Sequence, residues 1–185
     1  MAQSSGAEEL TEVDDRTAAM VAVAMGSDGD LVAKRRARGC RCFVVQAAGT
    51  LAGYGWLSTG PEWIGELQLE IKPAAGEGYI WNCVTLPEHR RTGVFRRVIT
   101  GISALAAREG LRRIWIGTVA LPAERALGPS GFEPVLDFAS LVMAGHIWIR
   151  VRPAAGADPR LVADAHRAVS TREGRFLRTS RPRRH

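Results

Sequence analysis

The residues best placed by type and spacing to do chemistry lie in the stretch Trp81 to Val98, WNCVTLPEHRRTGVFRRV. A proline and several polar residues, Thr85 to Thr92, lead to Gly93, after which Val94, Val98, Ile102 and Leu105 recur as one face of a helix over Gly93 to Arg108. The first amides of such a helix have no partner within it and carry the positive end of its dipole, so they can bind an anion. Arg90, Arg91, Arg96 and Arg97 add positive field around the same turn. By spacing alone, a solvated loop before an ordinary helix face remains the competing reading.

Proton transfer needs a different set of groups. In Trp63 to Lys72, read as one strand, Leu67, Leu69 and Ile71 alternate with Glu66, Gln68 and Glu70, which puts the two carboxylates on one face. Glu66 or Glu70 could take a proton from a nucleophile, directly or through water, and a solvated strand face would look the same. Glu66 is preferred because Gly65 beside it permits close approach of a ligand. Tyr79 opens the following strand; a tyrosine of ordinary pKa is a poor base and a better wall for substrate. Asn82 is expected on the strand face opposite Tyr79. Trp56, Trp63, Trp81 and Tyr54 are core packing or, if gathered in one groove, the lining for a partly apolar acceptor. Cys40, Cys42 and Cys83 and the four scattered histidines show no metal-binding spacing, so no metal is expected, and the thiols read as reduced.

These groups need a scaffold. Thr17 to Ala24 is rich in helix formers with Asp14 or Asp15 as cap, and Leu31 to Arg38 reads as a second helix ended by Gly39. Arg41 to Gln46 and Ala52 to Ser58 form a hairpin. Gly78 to Leu86, apolar on both faces, is a central strand, and Arg113 to Val119 lies parallel to it if the intervening helix is a crossover. Phe132 to Met143 and His146 to Val151 close the domain as two strands. Beyond Pro153 the alternation fades, apart from a helical turn or two within Leu161 to Val169. The sequence therefore divides into a domain over 1–153 and a basic, weakly structured extension over 154–185.

With 185 residues, 46% hydrophobic and 24% charged, the chain suits one well-buried domain with an appendage and is neither wholly disordered nor a membrane protein. Its first ten residues lack a basic start and an apolar core, so a cytoplasmic location is expected. The net charge of +6 is concentrated: residues 1–149 carry −1 and residues 150–185 carry +7. A basic tail alone supplies only salt-dependent, sequence-independent attraction, which argues against nucleic acid as the partner.

From Arg41 to Val151, the element order and the segment Pro87-Glu-His-Arg-Arg-Thr-Gly-Val-Phe95 resemble the GCN5-related N-acetyltransferase (GNAT) family. The family's pyrophosphate loop has arginine or glutamine, two variable residues, glycine, one residue, then glycine or alanine. Arg90 and Gly93 match its first and fourth positions, with Arg91 and Thr92 between them, while Phe95 stands where the family has a small residue. The resemblance implies an α/β (α+β) fold, with a central mixed sheet flanked by helices and a closing C-terminal β-hairpin that Gly131-Phe132-Glu133-Pro134-Val135 opens. It implies acetyl-CoA as acyl donor, held by Arg90, Arg91, Thr92, Gly93, Val94, Phe95 and Arg96, with Cys83, Val84 and Thr85 along the pantetheine arm. The implied activity is N-acetyl transfer to a primary amine of a small molecule or peptide by direct attack in a ternary complex. A homodimer is compatible with it. Two departures bear on chemistry: Leu127 replaces a tyrosine that reprotonates the leaving thiolate in many members, and Ala120 replaces a common asparagine. They keep open a non-catalytic CoA-binding or protein-interaction module of the same fold.

Overall fold

The computed structural model describes residues 9–118 and 121–179. In chain order the elements are β1 (Leu10–Glu12), α1 (Asp15–Met25), α2 (Leu31–Ala37), β2 (Arg41–Ala47), β3 (Thr50–Ser58), β4 (Glu62–Ile64), β5 (Leu69–Ile71), β6 (Glu77–Thr85), α3 (Val94–Arg108), β7 (Arg113–Ile116), α4 (Leu121–Leu127), β8 (Leu136–Met143), β9 (His146–Pro153), α5 (Pro159–Ala168) and β10 (Gly174–Thr179). They form two compact units, one from the described residues of 1–58 and 76–118, the other from those of 59–75 and 119–185.

The first unit is a mixed five-stranded sheet in the order β1-β2-β3-β6-β7. Every pair is antiparallel except β6 and β7, which run parallel as the crossover reading requires. Helix α1 starts where Asp14 and Thr17 cap each other: the Thr17 amide donates to Asp14 Oδ1 at 2.7 Å and the Asp14 amide to Thr17 Oγ1 at 3.0 Å. Val21 and Val32, from α1 and α2, pack with Cys42, Val44, Tyr54 and Trp56 on one sheet face. On the other face, α3 buries Val94, Val98, Ile99, Ile102 and Ala106. It comes close because β3 presents glycine there. A Cβ on Gly53 would lie 2.6 Å from Val94 Cγ1, and one on Gly55 would lie 2.6 Å from Val98 Cγ1.

The pairing of β3 with β6 slips in the middle. Tyr54 faces Val84 and Trp56 faces Trp81, so Gly55 spans both Asn82 and Cys83. Asn82 takes a left-handed φ of 46° at this bulge, a conformation that asparagine adopts more readily than most residues. The slip corrects the expectation that Asn82 opposes Tyr79: its amide reaches Arg35, whose guanidinium lies over Trp81, the residue on which Tyr79 stacks.

In the second unit β4 and β5 form a short hairpin, and β8, β9 and β10 form a sheet in the order β10-β9-β8. Its core contains Leu67, Leu69, Ile147, Ile149 and Val151, with Phe138 and Phe176 packed beside them. Two expectations are corrected here. Trp63 to Lys72 is not one strand, because Gly65 to Gln68 turn it back on itself with Gln68 at φ 51°. The apolar set Leu67, Leu69 and Ile71 is still buried, which is why alternation suggested a continuous strand. The stretch after Pro153 is likewise not weakly structured through Thr179. Asp158 caps the ten-residue helix α5, and β10 pairs with β9 from Gly174↔Val151 to Thr179↔His146. Among the described residues no helix is long and apolar enough to cross a membrane.

Candidate functional site

The candidate coenzyme site lies within the first unit, where β6 runs out of its parallel neighbour and into α3. Pairing of β6 with β7 covers Glu77 to Ile80 only, so the β6 edge from Trp81 to Thr85 extends past the ladder. The paired end is tied by buried Glu77, whose carboxylate accepts from Arg113 Nη1 at 2.9 Å and Trp115 Nε1 at 2.8 Å. Thr85 Oγ1, near the far end, is buried without a hydrogen-bond partner, a state that costs stability unless a ligand satisfies it.

The connection after β6 is braced internally. Thr92 Oγ1 donates to the His89 carbonyl at 2.7 Å, and Arg97 Nη2 donates to the Thr92 carbonyl at 2.8 Å. Arg91 and Gly93 take left-handed φ values of 66° and 86°. Gly93 is the N-cap of α3 and its carbonyl accepts from the Arg97 amide at 3.0 Å, which leaves the amides of Val94, Phe95 and Arg96 emerging from the helix end. A Cβ on Gly93 would meet only Arg97 Nη2, at 3.9 Å, so the space over the turn is open. Unpaired amides, open space, nearby arginines and an extended strand edge fit a nucleotide-type cosubstrate with a pyrophosphate and a long amide-bearing arm.

A second cluster lies beside the bulge. Tyr79, 6% exposed, stacks on Trp81 with centroids 5.9 Å apart and planes within 4°. Trp81 meets Trp56 at 6.1 Å. The Arg35 guanidinium of α2 lies 5.0 Å from the Trp56 centroid and 5.9 Å from that of Trp81. With the Asn82 amide oxygen turned to the donors, it accepts from Arg35 Nη1 at 2.7 Å and Nη2 at 3.2 Å. Sequence reasoning reached the aromatics and Asn82 but missed Arg35, one cation in the run KRRAR, and Glu77, which sits in a turn-like AAGEG. Only the helix phase of α2 and the register of β7 distinguish them.

Other expected site residues fall elsewhere. Glu66 and Glu70 belong to the second unit: Glu66 is exposed in the β4–β5 turn, and Glu70 pairs with Lys72 at 2.9 Å. Leu127 ends α4, and Ala120 lies outside the described residues. Burial pushes the thiols of Cys42 and Cys83 up to about 12, so both are neutral near pH 7 and poor nucleophiles.

Comparison with known proteins gives the same architecture a family. The family model described as "Acetyltransferase (GNAT) family" matches residues 10–128. Among solved structures, an acetyltransferase of Trypanosoma brucei is 17% identical, with a TM-score of 0.51, covering 68% of this chain and 92% of its own. A ribosomal-protein-alanine N-acetyltransferase from Brucella melitensis biovar Abortus 2308 is 15% identical, with a TM-score of 0.53, over 73% of this chain and 96% of its own. The aminoglycoside N-acetyltransferase AAC(6')-Iy, solved with CoA, is 16% identical with a TM-score of 0.50, over 68% and 91%. At such identities these structures are similar in fold. No curated protein matches the chain.

Proposed function

We propose, because the chain belongs to the GNAT acetyltransferase family, that it transfers an acetyl group from acetyl-CoA to a primary amine of a small molecule or peptide in a ternary complex. Acetyl-CoA is the acyl donor of this family, and its thioester supplies an activated acyl carbon. In this reading the amides of Val94, Phe95 and Arg96 hold the pyrophosphate at the start of α3, with Arg90, Arg91 and Thr92 lining the turn. Main-chain groups of Cys83, Val84 and Thr85 align the pantetheine arm. Glu66 or Glu70 receives the proton of the attacking amine, through water, and Tyr79 walls the acceptor. High thiol pKa values at Cys42 and Cys83 argue against a covalent acyl-cysteine at either position and support direct attack.

The observation that carries this reading is the left-handed Gly93 at the mouth of α3, directly after a strand edge with no parallel partner. Gly93→Val puts a branched side chain over the amides, whereas Arg108→Ala changes the far end of the same helix. We expect Gly93→Val to weaken coenzyme A binding about ten-fold or more, the equivalent of one charge-assisted hydrogen bond, and Arg108→Ala to leave it unchanged. Calorimetric titration of both variants, each checked for folding by circular dichroism, decides the matter. Equal affinities in two folded variants would remove the assignment.

A further inference from the structure

We propose that Arg35 anchors the acceptor, and that the acceptor is an amine carrying a carboxylate, of amino-acid or peptide type. The inference rests on the acetyl-transfer reading above and adds to it the chemistry of the second substrate.

Position comes first. If the pyrophosphate lies at the turn after Thr85, an arm laid back along the β6 edge from Thr85 to Trp81 advances four residues, about 13 Å at the rise of a strand. Its reactive end then arrives beside Trp81 and Asn82. Those two residues hold Arg35: Trp81 lies under its guanidinium at 5.9 Å and the Asn82 amide oxygen accepts from it at 2.7 and 3.2 Å. The bulge is what makes this meeting geometric. Without the extra residue opposite Gly55, Asn82 would alternate to the other face of the sheet and could not reach the guanidinium that covers Trp81.

Chemistry follows from how the cation is held. Two indoles and an amide are neutral, so these three contacts orient the guanidinium without cancelling its charge. Stacking fixes the plane of a planar fork of five N–H donors, the geometry that matches a carboxylate with two parallel hydrogen bonds. Ordering the side chain in advance lowers the entropic cost of binding. The same fixed charge works on the reacting amine. It disfavours an ammonium nearby and so raises the fraction of neutral, nucleophilic amine, while it repels acceptors that carry several positive charges. A carboxylate-bearing amine gains from both effects; a polyamine loses from both.

The test uses product analogues, so the natural acceptor need not be identified. Binding of N-acetylglycine, N-acetylleucine and N-acetyltryptophan is compared with that of their carboxamides, by titration into the full chain saturated with coenzyme A. We expect the acids to bind at least about ten-fold more tightly than the amides, as for hydrogen bonds to a charged group. Arg35→Met, which keeps length and apolar cover over the indoles, removes that preference while coenzyme A affinity stays at the wild-type value. Asn82→Asp, tolerated at a left-handed φ, places a carboxylate on the guanidinium and removes the preference without deleting the arginine. Acids and amides that bind alike, or that both fail to bind the loaded protein, overturn the proposal. So does a loss of coenzyme A affinity in Arg35→Met as large as the loss for the acids, which would make Arg35 a packing residue. Failure of coenzyme A itself to bind the wild-type chain would sink the acetyl-transfer reading instead, and is read in a separate titration.

Discussion

Glu66 and Glu70 are two residues of the same kind with different surroundings. Glu70 is engaged by Lys72 at 2.9 Å in an exposed pair, an arrangement of small energetic worth that nonetheless occupies the carboxylate. Glu66 stands exposed in the turn between β4 and β5, beside Gly65. Tyr79 is buried and stacked, so its ring suits a wall better than a proton shuttle. Of the three, Glu66 is the carboxylate we expect to receive the amine's proton. Glu66→Gln preserves shape and removes the basic oxygen; turnover with saturating donor should fall about 10²-fold, with coenzyme A affinity retained. Turnover and a pH profile identical to those of the wild type would transfer the role to Glu70 or to a chain of water.

At the scale of elements, the placement of α3 depends on what β3 lacks. Gly53 and Gly55 let the helix lie so near the sheet that added methyl groups would collide with Val94 and Val98 at 2.6 Å. Gly55 also lies opposite the bulge, where an added Cβ would be 2.9 Å from Cys83 Sγ. Gly55→Ala should therefore act as overpacking and cost about 1–3 kcal/mol, measured by urea unfolding. Because the strain falls between α3 and the strand that feeds it, coenzyme A affinity should fall along with stability. A variant as stable as the wild type would mean that the helix can shift outward freely, and that its position is not fixed by the glycine. The opposite end of β6 is held differently, by the buried Glu77 carboxylate between Arg113 and Trp115. One end of the parallel pair is thus clamped while the other extends beyond it.

At the scale of the molecule, two units each possess a core, and the C-terminal fifth belongs to one of them. Alternation along β9 sends Ile147, Ile149 and Val151 inward and His146, Trp148, Arg150 and Arg152 outward. Strand β10 pairs along the whole of this face and adds Phe176 to the core, so the surplus of arginine is carried in part on ordered strands. Phe176→Ala should lower the stability of this unit by about 1–2 kcal/mol, somewhat less than the loss of a fully buried side chain, as read from hydrogen exchange at the amides of β9. Exchange in β9 that does not change would show that β10 contributes pairing alone.

The sequence by itself determined the features whose physics is local. The 3.6-residue period of Val94, Val98 and Ile102 made α3, the φ demanded at Gly93 ended the turn before it, and the paired positive φ values at Ala48 and Gly49 suit the tight connection of β2 to β3. The strand–helix–strand order was enough to orient β6 and β7 in parallel, and the Arg90-to-Gly93 spacing was enough to point to the family. Tertiary structure decided what depends on a distant partner. Three residues, Leu10 to Glu12, become a strand only because β2 offers them an edge, and Gly174 to Thr179 does so only against β9. The alternation of Leu67, Leu69 and Ile71 holds for a strand or for a hairpin that buries the same residues, so packing chose between them. The one-residue slip opposite Gly55 is invisible in β6 alone, because register belongs to a pair of strands. With that slip, Asn82 turned to the face of Tyr79 and Trp81, and one arginine from the run Lys34 to Arg38 was set over the indoles.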